Sequence, residues 1–126
     1  MGGLGNVAEM RTAILMAVAR RVGMEAAVDA EPWFFPEEQW IRGALQEAGF
    51  RVDRLEREWR PTEADKGGVE GWVRLFGNQT LNAIKDEVDR EAAVKEATQI
   101  LQHVCKNPAG GEMISYVRLR CVATKL

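Results

Sequence analysis

The chain is poor in the residues that do redox and metal chemistry. It has only two cysteines, Cys105 and Cys121, and one histidine, His103. Neither cysteine belongs to a CxxC pair, so both read as plain thiols of the packed interior. His103 and Cys105 lie two residues apart, which on a helix turns them about 200° from one another. They cannot share one ion there, and no metal site is expected. No apolar run approaches the roughly 20 residues that span a bilayer, and no charged-then-apolar leader opens the chain. A cytoplasmic location is the resulting expectation. An excess of one charge is missing too. Seventeen basic and 19 acidic residues interleave to a net charge of −2, whereas a nucleic-acid surface needs a clustered basic face.

What is present is ordinary for a globular protein: 126 residues, 46% hydrophobic and 29% charged. That length suits one domain, 1–126, able to bury roughly two thirds of the surface its unfolded chain exposes. The opening "GGLGN" lacks G-x-G-x-x-G spacing, and no strand precedes it, so it reads as a loop leading into a helix. Asn6 and Glu9 resemble a capping box. Val7, Met10, Ile14, Ala17 and Val18 follow at helical spacing, Arg20 and Arg21 suit the helix C-terminus, and Gly23 stops the run. "MEAAVDA" adds a short helix. Pro32 and Pro36 bracket an extended "PWFFP". Pro36 then opens a helix with Glu37 and Glu38 at its positive end. Trp40, Ile41, Ala44, Leu45 and Ala48 form its buried stripe, and Gly49 caps it.

"FRVDRLEREW" is a strand whose apolar residues change face between Val52 and Leu55, as a bulge or a two-sided strand would cause. "RPTEADKGG" reads as loop. "VEGWVRLF" sets Val69, Trp72, Leu75 and Phe76 on one helical face, and "NQTLNAI" is a helical turn. The long helix runs from Asp86 to Lys106 with Val94, Ala97, Leu101 and Val104 on one side. "NPAGG" breaks it. "MISYVRLRCVATK" then alternates, with Val117, Leu119, Cys121 and Ala123 on one face and Tyr116, Arg118 and Arg120 on the other. The fold class is therefore α+β: mostly helical, with two strands paired antiparallel.

Taken in order, "GGLGN", "PWFFP", "LQEAGFRV", "RPT", "GWVRLF" and "YVRLRCVATK" resemble the C-terminal half of class I S-adenosylmethionine-dependent methyltransferases of the small-molecule type. The resemblance runs through nearly the whole chain. It implies that the loop lies at the end of the fifth strand of a doubly wound sheet, that Met1 falls on the methionine of a Glu-Met-Gly-Gly strand end, and that the two strands here are the sixth and seventh. The first strand, with the glycine-rich turn that binds the nucleotide, and the acidic residue for the ribose would both lie upstream. The chain would then hold no S-adenosylmethionine by itself and would gain it only from a separate cofactor-binding half. The resemblance also places Trp33, Phe34, Phe35, Trp72 and Phe76 over an acceptor pocket, although aromatics in so small a domain also build its core.

Three departures bear on acceptor chemistry. Pro36-Glu37 replaces the usual Ser/Thr cap, "EADKGG" follows "RPT", and Cys121 stands where a larger aromatic is common. Sheet edges left unpaired, and the apolar helix face of Val7 to Val18 left uncovered, would favour a homodimer with a sheet continued across its axis. The functional readings are a methyltransferase-like fragment kept as a small-molecule-binding or partner-binding module, a repurposed cyclase or isomerase of secondary metabolism, and one half of a split methyltransferase. Candidate acid–base groups are His103, Glu58, Asp65 and Tyr116. Arg60 and His103 are the polar groups expected beside an apolar ligand.

Overall fold

Helix periodicity and strand alternation appear in the order the sequence implies. The computed structural model describes residues 1–126. The elements are α1 (Ala8–Val22), α2 (Met24–Asp29), α3 (Glu38–Glu47), β1 (Phe50–Glu63), α4 (Gly68–Phe76), α5 (Asn78–Leu81), α6 (Glu87–Val104) and β2 (Met113–Lys125). The fold is α+β, with β1 and β2 forming an antiparallel pair. The chain divides into two compact units. A ribbon unit comprises Met1–Val7, Phe34–Pro61 and Ser115–Leu126; a helical unit comprises Ala8–Trp33 and Thr62–Ile114.

The helical unit closes a core on itself. Met10, Ala13, Ile14, Ala17 and Val18 of α1 are buried, as are Ala93, Val94, Ala97, Thr98 and Leu101 of α6. These two helices make the most extensive helix–helix contact. Alanines on both faces keep the side-chain ridges low, which suits close approach. Glu96 of α6 pairs with Arg20 and Arg21 of α1, each at 2.8 Å. Asp86 caps α6 by accepting from Asp89 N–H at 2.9 Å, leaving fewer orphan amides at its start. The face of α1 is thus covered within the chain. It is not the orphaned surface the sequence suggested, and the argument for an oligomer that rested on it falls away.

On α4 the buried residues are Val69 and Val73. Trp72 is half-buried, while Leu75 and Phe76 are exposed, so the stripe runs i, i+4 and not through Leu75 and Phe76 as expected. Val104 of α6 is likewise exposed. Gly77 separates α4 from α5 and could carry no side chain: a Cβ there would lie 2.5 Å from Val73 O and 2.8 Å from Ile14 Cδ1. No side chain caps α4 at its own first turn. Glu112 reaches from later in the chain to accept from Val69 N–H at 3.2 Å, putting a carboxylate at the helix's positive end.

The ribbon unit holds β1 as far as Pro61, β2 from Ser115, α3 and the N-terminal residues. β1 continues through "RPTE", which the sequence alone presents as loop. Pro61 is tolerated there because a two-stranded ribbon leaves every strand an open edge. The ladder is tied by Leu126 N–H to Gly49 O at one end and Ala64 N–H to Glu112 O at the other. β1 has 14 residues and β2 has 13, so one residue of β1 is extra and the strand carries a bulge. On α3, Glu37 is the cap, its carboxylate accepting from Gln39 N–H at 2.8 Å and Trp40 N–H at 2.9 Å. Pro36 stands two places before the first helical residue, Glu38, and its carbonyl accepts from Leu4 N–H. Only Ile41 of α3 is fully buried. Ala44 and Leu45 are half-exposed, and Trp40 and Ala48 face solvent.

Asn6 is buried and is not a helix cap. Its Oδ1 accepts from Val117 N–H at 2.7 Å, and Val7 N–H donates to Ser115 O. The amide thereby joins the N-terminal segment to β2 instead of feeding a helix end.

Candidate functional site

An open cleft of about 630 Å³ lies in the ribbon unit. Ile41, Ala44 and Leu45 of α3 face Leu119, Arg120 and Cys121 of β2, with Met1 at one end. Sequence periodicity finds these side chains but takes the α3 residues for packed core. What exposes them is that nothing in the unit covers this side. The small thiol of Cys121, standing where the resemblance expects a larger aromatic, leaves part of the space. The volume falls within the range of ligand sites, roughly 300–1,000 Å³.

One wall of the cleft is a strand edge. Met1 and Leu119 exchange two backbone bonds, the Met1 ammonium donating to Leu119 O at 3.2 Å and Leu119 N–H donating to Met1 O at 2.8 Å. Gly2 lies opposite Arg118 in an antiparallel bridge, and Gly3 N–H donates to Val117 O. Residues 1–3 therefore add to β2 on the edge away from β1.

The glycine loop spends its donors on the fold. Gly3, Leu4, Asn6 and Val7 N–H bond to Val117, Pro36, Gly3 and Ser115 carbonyls. Gly2 packs so tightly on Phe35 that a Cβ would lie 2.8 Å from its Cε1. Four amides that a phosphate- or carboxylate-binding loop would present are thus occupied, and this loop does not fit a cofactor.

None of the six proposed ligand contacts lines the cleft. Phe34 meets Trp40 edge-to-face, with centroids 4.9 Å apart, in the ribbon unit. Trp72 meets Phe76 at 5.0 Å in the helical unit. Trp33 is in the helical unit and Phe35 in the ribbon unit. Arg60 is on β1, 3.9 Å from Glu58. The four candidate acid–base groups also divide. Glu58 and Tyr116 lie in the ribbon unit, His103 and Asp65 in the helical unit. Glu58 sits between Arg60 and Arg120, the latter at 3.8 Å. Tyr116 lies beneath the Arg118 guanidinium, 4.6 Å from ring centroid to carbon, and burial raises its phenol's pKa. Asp65 shapes a turn by accepting from Gly67 N–H at 3.2 Å. His103 is exposed in the last turn of α6, where a cation complements the helix dipole.

The two thiols differ. Cys105 is buried, and desolvation, with Glu9 and Glu112 adding to it, pushes its pKa up to about 11. Cys121 is free and exposed in the cleft. No group of three or more His, Cys, Asp or Glu side chains is placed to hold a metal ion. No helix is long and apolar enough to cross a membrane.

No protein-family profile matches the chain. Among curated proteins it is 32% identical over 127 residues to a Schizosaccharomyces pombe protein described as an uncharacterised methyltransferase. The alignment takes in 98% of this chain and 47% of that protein. The chain spans about half the length of the curated relative it matches, and is a partial relative of a methyltransferase.

Proposed function

We propose that this chain is a methyltransferase-like binding module that holds no S-adenosylmethionine by itself and engages a partner through the cleft between α3 and β2. The observation that carries the reading is the cleft itself, open and lined mostly by the apolar side chains of Ile41, Ala44, Leu45 and Leu119. The occupied amides of the glycine loop support the absence of a cofactor site. The antiparallel addition of residues 1–3 to β2 supports assigning β1 and β2 as the sixth and seventh strands of a methyltransferase sheet, in its C-terminal half. The coverage of half the relative supports a second reading, in which a separate cofactor-binding half completes the enzyme.

Two measurements test the module. Titration calorimetry of the chain with S-adenosylmethionine is expected to give no saturable heat, and stoichiometric micromolar binding would overturn the reading. The dye 1-anilinonaphthalene-8-sulfonate is expected to fluoresce on the wild-type chain and to lose most of that signal in a folded Leu45→Glu variant. An unchanged signal would remove the cleft as the binding face. The cyclase or isomerase alternative draws no support from the cleft, which none of the four acid–base candidates lines.

A further inference from the structure

We infer that the groove between α1 and α6 in the helical unit is a second binding site, for a small amphiphilic amine: a short hydrocarbon body carrying one ammonium head. The groove shares no lining residue with the cleft between α3 and β2, and the inference does not rest on the reading of that cleft.

The groove follows from two helices packed antiparallel. Glu96 of α6 meets Arg20 and Arg21 near the end of α1, and Val104 at the end of α6 lies beside the start of α1, where Glu9 also borders the hollow of about 290 Å³. Ala13 is buried at its floor, where a methyl leaves depth that a larger side chain would fill. Met16, Ile100 and Val104 form the walls and still meet water, 45%, 37% and 60% exposed. Three large apolar side chains gathered around one hollow differ from the single exposed ones common on any surface. An apolar body laid among them removes their area from water.

The polar end selects the head group. Glu9 and Thr12 border the groove three residues apart, and so share a face of α1. Glu9 is a half-buried carboxylate. Its field reaches into the interior: after desolvation, it is the next cause of the raised Cys105 pKa. The Thr12 hydroxyl donates its one proton to Ala8 O at 2.7 Å, so toward a ligand it can only accept. Both groups therefore suit a donor, and the carboxylate suits a positively charged one.

The far end fixes the orientation. Met16 also borders a hollow that it shares with Arg20, whose guanidinium repels a cation. Met16 lies two helical turns beyond Glu9, about 10 Å along the axis. The ligand is thus held one way round, ammonium at Glu9 and hydrocarbon reaching Met16, whose flexible thioether adapts to its end. At about 290 Å³ the groove is just below the roughly 300–1,000 Å³ of sites for drug-sized ligands, which limits the body to a short chain or a single ring.

The test uses the whole chain and n-octylammonium, followed by NMR of the methyl groups. Its addition is expected to shift the methyl resonances of Met16, Ile100 and Val104. Glu9→Gln keeps the shape and removes the charge. It is expected to weaken octylammonium about tenfold and to strengthen octanoate, the same kind of body with an anionic head. Val104→Lys, on an exposed wall, is expected to weaken octylammonium about tenfold as well, with the circular dichroism of the fold unchanged. Leu45→Glu is expected to leave this binding unchanged. Absence of shifts at the three methyl groups overturns the inference, and so does equal affinity for octylammonium in the wild-type chain and Glu9→Gln. Binding lost in Leu45→Glu and kept in Val104→Lys assigns the amine to the cleft between α3 and β2 and equally overturns it.

Discussion

The helical unit and the ribbon unit solve the burial problem differently. In the helical unit, α1, α4, α5 and α6 present apolar faces that one another cover, with Met10, Ile14, Val69, Val73 and Leu101 essentially inaccessible. In the ribbon unit the buried apolar side chains are Val7, Pro36, Ile41 and Leu119. The rest of its order comes from directional bonds: Asn6 to Val117, Glu37 to the start of α3, and Arg57 to both Leu4 O at 3.0 Å and Glu38 at 2.8 Å. A closed helical core is stabilised by apolar area and is indifferent to partners. A ribbon with one open face depends on particular hydrogen bonds and keeps surface for something else. The open face is the site of the binding proposed above.

The contrast can be broken most severely at Ile14. Ile14→Asp places a carboxylate in the closed core, and no folded helical signal is expected by circular dichroism, at any protein concentration. A folded monomer of that variant would contradict the closed core. Next is a pair of truncations. Leu101→Ala is expected to cost about 2–5 kcal/mol by denaturant unfolding, because a fully buried leucine leaves a cavity. Leu45→Ala, at the cleft, is expected to cost under about 1 kcal/mol, because its side chain already meets water. Equal losses would erase the distinction between the units.

Asn6→Ala is expected to cost about 1–3 kcal/mol, because it strands the partly buried Val117 N–H without its acceptor. The loss is expected to appear as faster hydrogen exchange along residues 115–119 before it appears in the helices.

The cysteines sharpen the comparison chemically. N-ethylmaleimide at neutral pH is expected to modify Cys121 and spare Cys105, as read by mass spectrometry after digestion. Cys105 has its pKa raised to about 11 from an ordinary 9.0. A raised pKa means that the unfolded thiol ionises first. The stability tied to keeping Cys105 neutral is therefore whole below the ordinary value and drains away as pH rises toward 11. Cys105→Ala is expected to flatten that alkaline slope.

The smallest effect is on the ribbon surface. Asp53 accepts from Thr124 Oγ1 at 2.5 Å and pairs with Arg51 at 2.8 Å, and the two hold its carboxyl below the usual range. Its contribution is present above the ordinary carboxylate pKa and fades as pH falls through the lowered one. Thr124→Val is expected to raise the Asp53 midpoint in an NMR titration, with little change in stability because the pair is exposed.

The elements were largely legible. Gly23 and Gly49, with φ of 91° and 88°, end helices where a left-handed residue was needed. The α1 stripe and the β2 alternation matched burial and strand, and β1 carries one extra residue against β2. The misreadings share a cause. Asn6 looks like a cap because its spacing to Glu9 is local, but its partner Val117 is far along the chain. "RPTE" looks like a loop because proline and polar residues favour one, yet pairing with β2 extends the strand. Phe76, Leu75 and Val104 look buried because apolar residues at helical spacing usually are; whether a neighbour covers them is not written in the spacing.

The candidate site was legible only as fragments. Ile41, Ala44, Leu45, Leu119 and Cys121 each had a correct local place, on a helix stripe or a strand face, because those periodicities follow from backbone geometry and from which residues avoid water. That they face one another across an open cleft, and that the glycine loop's amides are already used, depend on contacts between distant residues, such as Met1 with Leu119 and Asn6 with Val117. Local patterning determined the elements of this protein, whereas the burial of α1, the opening of the cleft and the reach of β1 were decided by which distant segments could satisfy one another's hydrogen bonds and cover one another's apolar faces.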